Sequence, residues 1–137
     1  MPECAGCLAD GALRALRQLA AEAPLAMLVQ GRCMEPSLRQ GQRVEIAPAR
    51  FYWPGDAIAF RAPGGELRLH RLIGYLPGWR GLRLVAQADA ARGPDPPVPL
   101  DRVLGRVRGR EPISVPLRQR LAAIGRFARL VANRLLR

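Results

Sequence analysis

Short alternating segments separated by glycine- and proline-containing turns restrict the fold of this sequence more than any other feature. Residues 42–47 and 66–75 alternate polar and apolar side chains, as strands with one buried face do. Pro63-Gly64-Gly65 between two such segments is a hairpin-type turn. Further strands are expected at residues 25–29, 56–61, 81–87 and 102–107. Five or six short strands at this spacing predict a mainly β fold.

Two flanking segments have helical spacing instead. Residues 10–23 repeat leucine every third position, with Asp10 as a candidate N-cap and Pro24 as the stop. From Ser114, another candidate N-cap, apolar residues mark one helical face and arginines occupy the rest. The expected organisation is an N-terminal helical segment (1–24), a β domain (25–110) and a basic amphipathic C-terminal helix (111–137).

The positive charge comes from arginine alone, because the chain has no lysine and a formal net charge of +11. Such a balance indicates an anionic partner, either nucleic acid or lipid. Specific nucleic-acid binding is not expected, since aromatic residues make up only 5% of the chain and no helix-turn-helix pattern occurs. The basic helix over residues 114–137 can cover the β core, lie peripherally on an anionic membrane or contact another protein.

Cysteine usage and hydropathy limit the compartment and the cofactors. Three cysteines are an odd number and predict no disulfide framework. Cys4 and Cys7 form C-A-G-C without a second ligand pair, so we expect a free or redox-active pair, no metal site and no cofactor. Neither an apolar run of about 20 residues nor a signal-peptide pattern is present. We expect a cytoplasmic protein, or one attached to the inner face of a bacterial membrane.

Four sequence blocks carry a resemblance to a known family. Residues 31–38 read G-R-C-M-E-P-S-L, and three further blocks follow in order: P-G-D-A-I-A-F at 54–60, L-H-R-L-I-G at 69–74 and V-L-G-R-V at 103–107. This series resembles type I signal peptidases and LexA-like peptidases, whose first motif reads G-x-S-M-x-P-[ST]-L. Cys33 stands at the serine position. The resemblance covers residues 25–107 and implies a signal-peptidase/LexA-like β fold.

The resemblance implies that Cys33 is the nucleophile and His70 its base. Members of the family use lysine or histidine as the base, and without lysine only the histidine branch is workable here. A thiol suits this partner, because thiolate is the nucleophile and imidazole can accept its proton. Cys33 alone could be a small buried residue in a dead site, and His70 alone a strand histidine paired with a carboxylate. Ser37 is not favoured as nucleophile, since the family has a structural Ser or Thr there.

A carboxylate that orients the histidine is implied by the histidine-type relatives. Asp89 and Asp95 both follow the base-bearing strand, and we favour Asp89 because it ends a predicted strand. Asp101 is a weaker candidate, and Asp56 resembles the structural aspartate of its own strand.

Substrate binding is also an expectation from the resemblance. Family members hold an extended peptide along strand edges, which suggests Met34, Pro36 and Ile58 as contacts. The backbone N–H of Cys33 is the expected donor to the oxyanion. The expected activity is cleavage of leader or signal segments through a Cys–His–Asp site. The alternative is a catalytically inactive module of the same fold that binds peptides and associates with an anionic surface.

Overall fold

The structure, a computed structural model, describes residues 8–35, 37–108 and 116–136. Its helices are α1 (Asp10–Glu22) and α2 (Leu117–Leu135), and its strands are β1 (Leu25–Leu28), β2 (Arg43–Ala47), β3 (Ala57–Arg61), β4 (Leu67–Gly78), β5 (Gly81–Gln87), β6 (Val98–Pro99) and β7 (Val103–Arg108). A 3-10 turn, Leu100–Arg102, joins β6 to β7. The mainly β fold with an N-terminal and a C-terminal helix is therefore confirmed.

The strands form one antiparallel sheet in the order β1-β2-β7-β3-β4-β5-β6. In the β3–β4 pair, Ile58 lies opposite His70 and Ala57 lies opposite Arg71. Side chains alternate between the faces of a strand, so His70 and Arg71 leave β4 on opposite faces. This register determines which partners each of the two residues can reach.

Both faces of β3 are buried, because apolar residues pack against each of them. One face carries Ala57 and Ala59 and packs against Met34, and α1 contributes Ala20 to the same cluster. The other face carries Ile58 and Phe60 and packs against further apolar residues of β4, β5, β6 and β7. The site described below is built around this pair of central strands.

Helix α2 packs on β4 through a narrow contact. Ala123 is buried against Ile73 and Val85. The Phe127 ring lies over Gly74, where a Cβ atom would come within 2.4 Å of a ring carbon, so only glycine allows this approach. The helix thus covers part of the sheet, as one of the three interpretations of the basic segment expects. None of the helices in the described ranges is long and apolar enough to cross a membrane.

Some local features differ from the sequence-based expectations. Ala9, not Asp10, is the N-cap of α1. The Asp10 carboxylate instead pairs with Arg61 at 2.9 Å and Arg102 at 2.8 Å, because these guanidinium groups offer it ionic partners. β6 adds a short strand to the six that the sequence predicts, within a proline-rich tract that has no strand pattern. Ser114 lies outside the described residues.

Candidate active site

The predicted nucleophile lies in an exposed turn between β1 and β2. Two backbone hydrogen bonds close the base of this loop, from Val29 N to Gln42 O at 2.9 Å and from Gly41 N to Val29 O at 2.8 Å. The Met34 side chain anchors the turn in the core, since it is only 2% exposed. Cys33 precedes this anchor and is exposed with a free thiol. The turn is therefore anchored to the core through Met34, while the Cys33 sulfur lies at the surface.

The segment after β5 connects this turn to the base-bearing strand. Ala90 N donates to Cys33 O at 2.9 Å, and Asp89 N donates to the Met34 sulfur at 3.4 Å. Further along, Asp95 N donates to Ala86 O at 2.8 Å, which holds that end of the segment against β5. One short stretch of chain thus contacts the nucleophile turn and positions a carboxylate beside β4.

That carboxylate belongs to Asp95, which pairs with His70 through Oδ2 and Nδ1. Both side chains are largely buried, and the His70 ring meets the Phe60 ring edge-on at a centroid distance of 6.0 Å. Because a carboxylate accepts, Nδ1 carries the hydrogen and Nε2 is the nitrogen available to accept a proton. This is the arrangement that a general base requires.

An Arg68–Glu66 ion pair lies beside the Asp95 carboxylate. Arg68 Nη1 lies 3.6 Å from Asp95 Oδ1, and the same guanidinium pairs with Glu66. The pKa of the Glu66 carboxyl is lowered by a backbone hydrogen bond at Glu66 itself and by the charge of Arg68. Arg68 therefore has two carboxylates within ionic reach, and Asp95 is held by His70 on one side and approached by Arg68 on the other.

Asp89 does not orient His70, contrary to the preference drawn from the sequence. Its two oxygens accept from Arg71 Nε at 2.7 Å and from Nη2 at 2.8 Å. Arg71 is buried, and its Nη1 also donates to Gly55 O at 2.7 Å and to Gln119 Oε1 at 3.1 Å. The physical reason is the alternation along β4, which places the Arg71–Asp89 pair on the face opposite to His70. Asp95 is the carboxylate that bonds His70.

Two other aspartates have partners elsewhere. Asp56 is buried at the start of β3, where Oδ2 accepts from Trp53 N at 2.9 Å and Oδ1 lies 3.2 Å from Arg120 Nη1. This matches the structural role expected for it. Asp101 lies in the 3-10 turn with an exposed side chain, 3.9 Å from Arg102 Nε. Its partner in the described chain is this arginine, so it is not the orienting carboxylate.

The predicted substrate contacts need correction. Met34 and Ile58 are buried, Ile58 completely, because each fills a core cluster on one face of β3. Their side chains shape the site from beneath, and neither offers surface to a peptide in this conformation. Pro36 lies outside the described residues. Ser37 accepts a hydrogen bond from Gln119 Nε2 at 3.2 Å, which ties the nucleophile turn to α2.

Sequence reasoning missed the network around Arg71. Arg71 follows His70 in the block at 69–74, so the sequence block includes the arginine. The block does not indicate which residues it contacts. Gln119 bonds both Ser37 and Arg71. It lies in α2, whose sequence pattern indicates an apolar and a basic face but no polar contact with the site. No local sequence pattern predicts a contact over such a separation.

The site so assembled combines an exposed thiol with an imidazole–carboxylate pair. Within the described ranges, no hydrogen bond joins the Cys33 sulfur to His70; the segment that follows β5 contacts both residues. The same ranges hold no group of three His, Cys, Asp or Glu side chains arranged to bind a metal ion. Cys4 and Cys7 lie outside them.

Neither a scan against protein-family models nor a search among curated proteins found a match for this chain. The functional argument therefore depends on the order of the sequence blocks and on the geometry of the site.

Proposed function

We propose that this protein is a thiol endopeptidase of the signal-peptidase type, which cleaves leader or signal segments with Cys33 as nucleophile and His70 as base. The observation that carries the proposal is the bond between His70 Nδ1 and the Asp95 carboxylate, which leaves Nε2 as the proton acceptor. The four sequence blocks, in the order found in that family, add support for this assignment.

The chemistry follows the general scheme for a thiol nucleophile. Nε2 of His70 accepts the Cys33 proton, and the thiolate attacks the scissile carbonyl carbon. The Cys33 N–H donates to the developing oxyanion. The C–N bond then breaks, the leaving amine takes the proton from the imidazolium, and a thioester remains. His70 next deprotonates a water molecule, which hydrolyses the thioester and restores the thiol.

This scheme requires the Cys33 sulfur to come within hydrogen-bonding distance of His70 Nε2 when the substrate binds. Catalytic hydrogen bonds are often long before substrate binds and shorten in the complex. The Cys33 turn is exposed, so a bound peptide can press it toward β4. Asp95 meanwhile holds the ring in the required orientation.

Main-chain pairing along β1 is the route we propose for substrate recognition. β1 lies at the edge of the sheet and pairs with β2 alone among the described strands. An extended peptide can add to such an edge as a further strand. β1 also runs toward the Cys33 turn, so a peptide paired with it is directed at the nucleophile. We place this activity in the cytoplasm or at the inner face of a bacterial membrane.

One observation favours a second candidate function, an inactive peptide-binding module with the same edge. The thiol and His70 are not hydrogen-bonded in the described structure, and an exposed cysteine without an activating base is an ordinary thiol.

Cleavage of leader peptides by purified protein separates the two functions. Cys33→Ala and His70→Ala should each abolish cleavage, Cys33→Ser should retain a small part, and Ser37→Ala should cleave like wild type. Full cleavage by Cys33→Ala would exclude the thiol mechanism. A wild-type protein that binds leader peptides without cleaving them would favour the inactive module.

A thiol-alkylating probe tests activation directly. With Cys4 and Cys7 replaced by serine, Cys33 is the single thiol in the chain. Alkylation at pH 7 should be at least about tenfold slower after His70→Ala, because the imidazole promotes thiolate formation. Equal rates with and without His70 would contradict the proposed pair.

A further inference from the structure

Helix α2 leaves a stripe of apolar side chains in water. Leu117, Leu121 and Ile124 are 71%, 58% and 50% exposed. Leu135 continues the same stripe near the end of the helix and is also exposed. The spacing of these residues by three and four positions, with a gap of three turns before the last, keeps them on one side of the helix. Contiguous exposed apolar surface of this kind marks an interaction site more often than a scattered residue does.

The stripe is not the face that packs on the sheet. Ala123, Phe127 and Leu130 make that contact. At about 100° per residue, the centre of the stripe lies about 120° around the helix axis from the centre of the packed face. The helix therefore has two apolar faces, and the sheet covers only one of them.

The charge on α2 indicates what covers the second face. The helix contains five arginines and no acidic residue. Arg118 and Arg129 are exposed and lie on the side of the stripe away from the sheet. An apolar stripe beside a purely cationic face is the pattern of a helix that lies in the plane of an anionic bilayer. Nucleic acid would use the arginines and leave the leucines in water.

The turn before β3 adjoins the helix through Arg120. Arg120 lies between the packed face and the stripe, and its guanidinium donates to Pro54 O at 3.2 Å. The residue before Pro54 is Trp53, which is exposed and packs edge-on against exposed Phe51 at a centroid distance of 4.7 Å. Pro54 therefore lies beside this side of α2, whereas Phe51 stacks on Tyr75, which packs with the cluster on the other face of the sheet.

We propose that α2 docks the protein on an anionic lipid surface, with Leu117, Leu121 and Ile124 at the acyl boundary and the arginines among the headgroups. This inference rests on the proposed function, which places the activity in the cytoplasm or at the inner face of a bacterial membrane, and it identifies α2 as the surface that contacts the lipid. Gln119 of the same helix bonds both Ser37 and Arg71. Docking would therefore hold the nucleophile turn at a fixed height above the bilayer.

Vesicle co-sedimentation of the full chain, carrying Cys33→Ala to exclude cleavage, tests the proposal. Vesicles of phosphatidylcholine with one quarter phosphatidylglycerol should bind the protein, and binding should weaken as salt rises. The double variant Leu121→Gln/Ile124→Gln should bind at least about tenfold more weakly, because it removes apolar burial. Leu19→Gln is the matched control, since Leu19 is an exposed leucine of α1, and it should bind like the parent.

The variant Arg118→Gln/Arg129→Gln tests the charge independently, and it should lower binding to anionic vesicles at low salt. Equal binding to pure phosphatidylcholine, or an unchanged affinity of the stripe variant, would overturn the proposal. So would self-association in sedimentation velocity that depends on Leu121 and Ile124 without vesicle binding. Cleavage of a soluble leader peptide is measured in parallel on Leu121→Gln/Ile124→Gln in the chain that keeps Cys33. Loss of vesicle binding with retained cleavage separates this docking surface from the peptidase function.

Discussion

Two neighbouring residues of β4 show how one strand supports both architecture and the candidate chemistry. His70 and Arg71 point to opposite faces, and each takes a carboxylate from the segment after β5, Asp95 and Asp89 respectively. The Arg71 pair is bidentate, and the arginine has two further acceptors, Gly55 O and Gln119 Oε1. The His70 pair uses one ring nitrogen.

The two pairs differ in how many donor and acceptor groups of Arg71 and His70 remain free for a substrate. A guanidinium offers five N–H donors, and here four contacts, two to the carboxylate and two to other acceptors, occupy most of them. Arg71 joins β4 to the turn before β3, the segment after β5 and α2, and it has little capacity to act on a substrate. An imidazole bound at Nδ1 keeps Nε2 for proton transfer. We therefore assign Arg71–Asp89 to stability, and His70–Asp95 is the pair on which the proposed function depends.

Asp95→Asn should give the largest effect, and it should appear in activity. An amide in place of the carboxylate no longer selects the required tautomer, and this change lowers turnover in triad enzymes by up to about four orders of magnitude. We expect a loss of about two to four orders of magnitude in kcat for leader-peptide cleavage. The free energy of unfolding should fall by only about 1.5–3 kcal/mol, as for one hydrogen bond to a charged group. A stability loss that explains the whole activity loss would contradict the assignment.

Asp89→Asn should show the opposite pattern. Removing one partner of a buried ion pair leaves an uncompensated charge, which costs about 3–5 kcal/mol in unfolding free energy. Urea denaturation followed by circular dichroism measures this loss. At a temperature where the variant is still folded, the alkylation rate of Cys33 should stay within about threefold of the parent, because His70 keeps Asp95 and the thiol keeps its base.

The double variant Arg71→Met/Asp89→Leu is the control for this interpretation. It removes both charges together and should be less destabilised than Asp89→Asn, since no unpaired charge remains in the core. A double variant that is as unstable as the single one would indicate that shape, rather than the buried charge, dominates at this position.

The fold and the chemical groups of the site could be predicted from the sequence, but their pairing could not. Alternation and turn residues located six of the strands, because burial of one strand face leaves a period of two in the sequence. The resembling blocks indicated Cys33 and His70, and the resemblance to histidine-type relatives indicated both aspartates. The choice between Asp89 and Asp95 depended on the path of a proline-rich loop. Nothing in its local sequence shows that Asp95 N bonds to Ala86 O and brings the carboxylate back to β4.

Burial was the other property that the sequence left open. Met34 and Ile58 stand in the sequence blocks that carry the resemblance, and both side chains fill the core here. A motif reports which residues occur near a site, whereas the sheet register decides which of them face inward. Likewise, the periodicity of α2 indicates a single apolar face. It does not show which of the apolar residues the sheet covers and which stay exposed.

Gln119→Ala should give the smallest effect, and it tests how much the Arg71 network depends on α2. The variant loses one bond to Arg71 and one to Ser37, while Arg71 keeps Asp89 and Gly55 O. We expect a loss of about 0.5–1.5 kcal/mol in unfolding free energy, the usual range for a hydrogen bond whose partner remains satisfied. Ser37→Ala, which removes only the exposed bond, should cost less than Gln119→Ala in the same urea titration. If Gln119→Ala were as destabilising as Asp89→Asn, α2 rather than the ion pair would be the main support of Arg71. The structural partners of Arg71 would then include α2 as well as Asp89.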